Sequence, residues 1–182
     1  MGDRCHLSFP SWSGQLERYA GARLVSKEMG AIARLGLGTK SLAWSQLSIG
    51  FDVGIDEHGY LDGTGDMISI GYNSKLNRNI TLKASVDDSI TIGEDCLVGP
   101  NVAFSEANQI FADRDVKVRE PGRELGNITI GNDEWIAVND IILSKVIIGD
   151  HLIVATGAVV TKSFPARSIL AVGPAKVIGD RK

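Results

Sequence analysis

Residues 128–164, ITIGNDEWIAVNDIILSKVIIGDHLIVATGAVVTKSF, carry an aliphatic side chain at every sixth position: Ile130, Ile136, Ile142, Ile148, Val154 and Val160. Four residues after each of these leaders comes a second set, Glu134, Asp140, Val146, Leu152, Ala158 and Phe164. The residue just after a leader is often small, as at Gly131, Ala137, Gly149 and Ala155. A strict period of six drifts around a 3.6-residue helix and leaves no apolar face. A sandwich of short strands would want Asn-Gly or Asp-Gly hairpin turns, and the block has none. Six residues supply one short strand and one turn, so three hexads close a triangular coil whose leaders and followers point inward. Small residues near the corners then either take positive φ or pack without bulk. A single coil cannot bury its apolar side alone, so coils must stack on one another. The expected fold is an all-β, parallel β-helix.

The repeat extends upstream. Ile92, Val98 and Phe104 lead a second block, with followers Cys96 and Val102 and small residues Gly93 and Gly99. Weaker traces run through Ile70, Leu76 and Leu82, with Ile80 and Val86 as followers, and back to Ile49 and Ile55. Residues 105–127 lose the period, are rich in charge and stand between two coil-forming blocks. That reads as a loop extruded from the rod, and such loops are more often functional than idle. Residues 14–35 place Leu16, Tyr19, Ala20 and Leu24 at helical spacing, which reads as a helical or irregular cap over the open end of the stack. The expected division is a cap over 1–45, a β-helix over 46–178 with its loop at 105–127, and a tail at 179–182.

Composition narrows the function classes. The chain has 182 residues, room for one domain, with 21 Gly and 6% aromatic residues. That combination suits repeated tight turns around a core of small and β-branched side chains. A net charge of −3 argues against broad nucleic-acid binding. No apolar run reaches membrane-spanning length and the first residues lack a signal-peptide pattern, so a cytoplasmic protein with no integral membrane segment is expected. Cys5 and Cys96 make no disulfide framework, and no Cys/His spacing reads as a zinc site, so no metal is expected.

The strings ITIGEDCLVGPNVAF (90–104) and ITIGNDEWIAVNDIILSKVIIGDHLIVATGAVVTKSFPARSILAVGPAKVI (128–178) resemble the hexapeptide-repeat acyltransferases. They are most similar to the branch that acetylates sugars and polysaccharide or lipopolysaccharide units. The loop segment IFADRDVKVREPG resembles the extruded loop of that branch. The likeness covers residues 90 to 178, and the N-terminal third matches less clearly. It implies a left-handed coil and a homotrimer with active sites in clefts between neighbours. It further implies acetyl-CoA as acyl donor, a sugar or glycan acceptor, and a histidine that deprotonates the acceptor hydroxyl. The γ-type carbonic anhydrases share such a coil but need metal-binding histidines that this chain does not have.

The resemblance puts Gln109, beside Asn108, where the family carries its histidine. A Gln amide orients a hydroxyl but takes no proton at neutral pH. Of the three histidines, His151 falls on an outward turn of its hexad, His58 in DEHGYLD reads as a loop residue, and His6 is near the terminus. Glu106, Asp113 and Asp115 are the carboxylates in the loop able to substitute, each also readable as a solvated charge. Three outcomes stay open: an O-acetyltransferase with a rearranged catalytic group, a silent member that binds CoA or sugar, or a variant whose histidine was replaced, leaving a ligand-trapping protein. For the donor, the resemblance points to Ala137, Ala155, Thr156, Thr161, Lys162 and Lys176, with Arg181 and Lys182 read as a solvated tail. For the acceptor it points to Asp113, Arg119 and Trp135, Trp135 also being readable as an interface aromatic. Glu134 and Asp140 are misfits, because they occupy inward positions where charge is expensive unless paired, protonated or hydrated.

Overall fold

The computed structural model describes residues 23–25, 32–41, 47–63, 68–84, 87–105 and 107–182. Strands β1 (Arg23–Val25) and β2 (Ile32–Leu35) form an antiparallel pair. Of the helical or irregular cap expected over 14–35, residues 23–25 and 32–35 are strand, while the remainder of that stretch lies outside the described residues. β3 (Lys40–Ser41) follows, and then the chain settles into coils of three short strands. These are β4 (Leu47–Ile49), β5 (Gly54–Ile55) and β6 (Tyr60–Asp62), then β7 (Ile68–Ile70), β8 (Lys75–Leu76) and β9 (Thr81–Lys83). Next come β10 (Ile90–Ile92), β11 (Leu97–Val98) and β12 (Ala103–Ser105).

A ribbon of β13 (Ala107–Gln109) and β14 (Arg123–Leu125) then leaves the rod. Coiling resumes with β15 (Ile128–Ile130), β16 (Trp135–Ile136) and β17 (Ile141–Leu143), followed by β18 (Ile147–Ile148), β19 (Ile153–Val154) and β20 (Val159–Val160). The chain closes with β21 (Ser168–Ala171) and β22 (Lys176–Asp180), an antiparallel pair.

Three sheets result, one per side of a left-handed prism. Face A holds β5, β8, β11, β16, β19 and β21, face B holds β6, β9, β12, β17 and β20, and face C holds β4, β7, β10, β15 and β18. Parallel pairing reaches back to β2 against β5 and β3 against β6, so coil-type stacking is in place before residue 46.

Leaders and followers both point inward, as the hexad requires. Ile130, Ile136, Ile142, Ile148, Val154 and Val160 are buried, and so are Val146, Leu152, Ala158 and Phe164. Each buried Ile, Leu, Val or Phe among them contributes roughly 1.5–3 kcal/mol by leaving water. The same column runs through Ile92, Val98, Phe104, Cys96 and Val102 above the ribbon.

The turns divide the two roles expected near the corners between different residues. Positive φ falls three positions after a leader, at Asp133 (55°), Asn139 (61°), Lys145 (65°), His151 (63°) and Gly157 (75°). Asn and Asp tolerate this left-handed region because their short polar side chains hydrogen-bond locally. At the corner between faces A and B they form a ladder, Asn79 Nδ2 donating to Asn101 Oδ1 and Asn101 Nδ2 to Asn139 Oδ1, both at 3.0 Å. The small residues after the leaders serve close approach instead. A Cβ on Gly93 would stand 2.3 Å from the Gly131 carbonyl oxygen, and one on Gly131 2.5 Å from Asp150 Oδ1.

Candidate active site

The ribbon leaves at the corner between faces B and C, directly after β12. Asn108 is half-buried, and its Nδ2 donates to Ser144 Oγ at 2.9 Å. Its cross-strand partner Glu124 pairs with Lys145 at 2.5 Å. Gln109 is exposed at the end of β13, and its side chain has no hydrogen-bond partner among the described residues. Glu106 lies outside the described residues. Asp113 accepts from the Asp115 N–H at 2.9 Å, closing a turn at the ribbon tip. Arg119 is exposed, as is Phe111, at 76%.

Trp135 stands elsewhere. It points out of face A with 53% exposure, in register with Leu97, Lys75 and Ile153. Beside it runs a shallow groove floored by Leu97, Val98 and Gly99, with Asp56, Lys75 and Asn77 along its side. Lys75 is held there by Asp52, through the carbonyl and through the carboxylate at 3.3 Å. The groove's polar residues went unnoticed in the sequence, where only the weak early hexads hinted at them.

Of the positions assigned to the donor, Ala137, Ala155 and Thr156 share the corner between faces A and B. Ala137 is buried, and its N–H donates to Val154 O at 2.9 Å. The Ala155 N–H is committed to Leu170 O at 2.8 Å, so the exposed Thr156 is the polar residue left for a ligand there. Lys176 lies opposite Ala171 at the start of β22 and is exposed. Thr161 and Lys162 sit at the other corner, between faces B and C, with Lys162 Nζ 5.5 Å from the centre of the Phe164 ring.

Within one chain the candidates thus fall into two groups. The ribbon occupies the apex opposite face A, where Trp135 and its groove lie. Arg181, read as part of a solvated tail, is corrected by its contacts: Nη1 donates to Asp133 O and Nη2 meets Asp133 Oδ2, both at 3.0 Å. His151 Nδ1 lies 2.9 Å from the same Oδ2. The hydrogen bond from His151, and then Arg181, hold the Asp133 carboxyl below its ordinary value.

Glu134 and Asp140 are buried, at 2% and 0% exposure, and the coil around them is regular. They do not pair with each other. Glu134 Oε2 accepts the Leu152 N–H at 3.0 Å and Asp140 Oδ1 the Ala158 N–H at 2.7 Å, each from the following coil. Among the described residues, Glu134 Oε1 and Asp140 Oδ2 have no hydrogen-bond partner. Burial pushes Glu134 up to about 8 and Asp140 up to about 6, against the pull of those backbone donors. Burial likewise pushes the Cys96 thiol up to about 11, which makes it inert. Among the described residues no group of His, Cys, Asp and Glu is placed to share a metal ion, and no helix is long and apolar enough to cross a membrane.

Comparison with known proteins settles the family. A candidate acetyltransferase of Schizosaccharomyces pombe is 31% identical over 173 residues, 93% of this chain and 75% of the relative. The chain belongs to the hexapeptide-repeat acyltransferases. The galactoside O-acetyltransferase of Escherichia coli K12 is 36% identical over 118 residues, in line with the sugar O-acetyltransferase branch, although the match spans only 55% of that protein's length. No family model matches the chain. Among solved structures, a hexapeptide-repeat acetyltransferase from Vibrio cholerae in complex with acetyl coenzyme A superposes with a TM-score of 0.62 at 24% identity, over 80% of this chain and 72% of that one. That likeness speaks for the fold.

Proposed function

We propose that this protein is an acetyl-CoA-dependent O-acetyltransferase acting on a sugar or a polysaccharide or lipopolysaccharide precursor, and that it works as a homotrimer. The carrying observation is the division of the candidates between the apex and the opposite face. A three-sided rod cannot fold its own apex onto its own far side, but the apex of one copy fits against face A of the next. Such an arrangement puts the ribbon of one subunit over the Trp135 groove of its neighbour.

In this reading the acceptor lies in the groove, where Asp56 and Asn77 hydrogen-bond its hydroxyls and Trp135 covers a sugar face. Arg119 and Asp113 reach in from the ribbon. Thr156 and Lys176 at one corner, and Thr161 and Lys162 at the other, flank the donor; a lysine meets a phosphate as a point charge. The acceptor oxygen attacks the thioester carbonyl, forming the ester bond and releasing the CoA thiol, and the acceptor proton must pass to a base. Gln109 orients that hydroxyl without accepting the proton.

Calorimetry with acetyl-CoA tests the donor site, and no binding at millimolar cofactor would sink it. Gln109→His should raise acetyl transfer by on the order of 10²-fold or more. An unchanged rate in an already fast enzyme places the base elsewhere. The free, exposed Gln109 amide favours a second reading, a CoA- or sugar-binding protein that transfers slowly or not at all. In that case binding persists and turnover appears only in the His variant.

A further inference from the structure

The two faces of the ribbon base are used differently. Successive strand residues alternate between faces, and directly opposed residues of an antiparallel pair project to the same one. Asn108 and Glu124 are opposed, and both are tied to the rod, Asn108 by Ser144 and Glu124 by Lys145. The next pair, Gln109 and Arg123, therefore projects from the face turned away from those anchors. Both residues are exposed, and neither side chain has a hydrogen-bond or ion-pair partner among the described residues.

Opposed Cβ atoms lie about 4.5–5.5 Å apart, close enough for both side chains to converge on one group. An arginine brings five donors in a planar fork, and the glutamine amide adds two more. Glu124, beside Arg123, is engaged by Lys145, and Asp113 at the ribbon tip accepts the Asp115 N–H. The site where a base would be needed is thus furnished with donors and a positive charge.

We propose that Gln109 and Arg123 together bind an anionic group, a carboxylate or phosphate, carried by the acyl acceptor. The acceptor class is then an acidic sugar or a sugar phosphate in preference to a neutral sugar. This rests on reading the 105–127 loop as the acceptor side of an acyltransferase site. Arg123 sets specificity by charge, and the Gln109 NH2 supplies a second donor to the anion while its carbonyl oxygen remains for the acceptor hydroxyl.

The test is calorimetric binding to the full chain of galactose, galacturonate and galactose 1-phosphate, with CoA and dephospho-CoA as separate arms. At least one anionic sugar should bind about tenfold more tightly than galactose, with the preference falling as salt is added. Arg123→Gln should abolish the preference, and Arg123→Lys should keep part of it. Arg123 is exposed and, among the described residues, without a side-chain partner, so these variants should melt with the wild type. Equal binding of the three sugars overturns the proposal. So does a preference that survives in Arg123→Gln, or an Arg123→Gln effect confined to CoA, which would assign the anion to the donor. Acetyl transfer is read in parallel: a binding preference without transfer to any acceptor supports the anion pair and removes the enzyme reading alone.

Discussion

The coil just above the ribbon and the coil just below it pair strand for strand, Ile90 on Ile128, Leu97 on Trp135 and Ala103 on Ile141. Their interiors differ. Above, the follower positions hold Cys96 and Val102; below, the same positions hold Glu134 and Asp140. The backbone path is common to both, so it is the stacked main chain that decides which way a side chain points. The acids remain inside because each meets one N–H of the next coil and because burial raises the pH at which they ionise, to about 8 for Glu134 and about 6 for Asp140. A parallel β-helix core therefore accepts an acid where the following coil aims a donor inward.

The comparison can be broken most forcefully at an apolar position. Ile142 is fully buried in the lower coil. Ile142→Ala should cost about 2–5 kcal/mol, measured by denaturant unfolding. A loss well under 1 kcal/mol would show that the lower coil is loosely packed.

The acids come next. Both folded-state values lie above the ordinary ones, so the folded chain holds protons that the unfolded chain has released, and stability falls as pH rises. For Asp140 the fall runs from its ordinary 3.8 to about 6, and for Glu134 from 4.5 to about 8. Between pH 6 and 8 the loss should be on the order of 1 kcal/mol per pH unit and belong to Glu134. Glu134→Gln should flatten that window, and Asp140→Asn should alter only the limb below pH 6. A flat stability profile in the wild type would mean that both acids are charged in the core.

Close approach between the two coils is sharpened by Gly93→Ala. Its new Cβ would meet the Gly131 carbonyl oxygen. A loss of about 1–3 kcal/mol is expected, because backbone must shift to admit it. A neutral result would show that the coils can separate there. Lys145→Ala removes an exposed ion pair with Glu124 and should change stability by no more than about 1 kcal/mol. Its larger effect should be on the ribbon, read as faster amide exchange at Ala107–Gln109.

The hexad was legible because a fixed volume is needed at each inward position, and Ile130 through Val160 supply it without a break. The corners were written as plainly but in different residues: Asp95, Asn101, Asp133 and Asn139 stand three after their leaders, while the glycines that drew attention serve close contact. The N-terminal stretch misled because a short apolar spacing fits a helix, whereas β1 and β2 owe their form to pairing with each other and with β5. The loop was visible as a gap in the repeat. Its ribbon was not, because Asn108 is held by Ser144, 36 residues away, and no local pattern announces such a partner. The groove beside Trp135 was hidden likewise, since it gathers residues from successive coils.

The ribbon's place at the apex opposite Trp135 makes angular phase part of the design. Adding one hexad after the ribbon would leave every inward residue facing inward, yet it would turn the rest of the rod by a third of a revolution. Trp135 would then lie on a different side from the groove residues Leu97 and Lys75. A whole coil of three hexads would restore the phase. Insertions in this rod are therefore read modulo three hexads, with the inward pattern blind to the count and the candidate site sensitive to it.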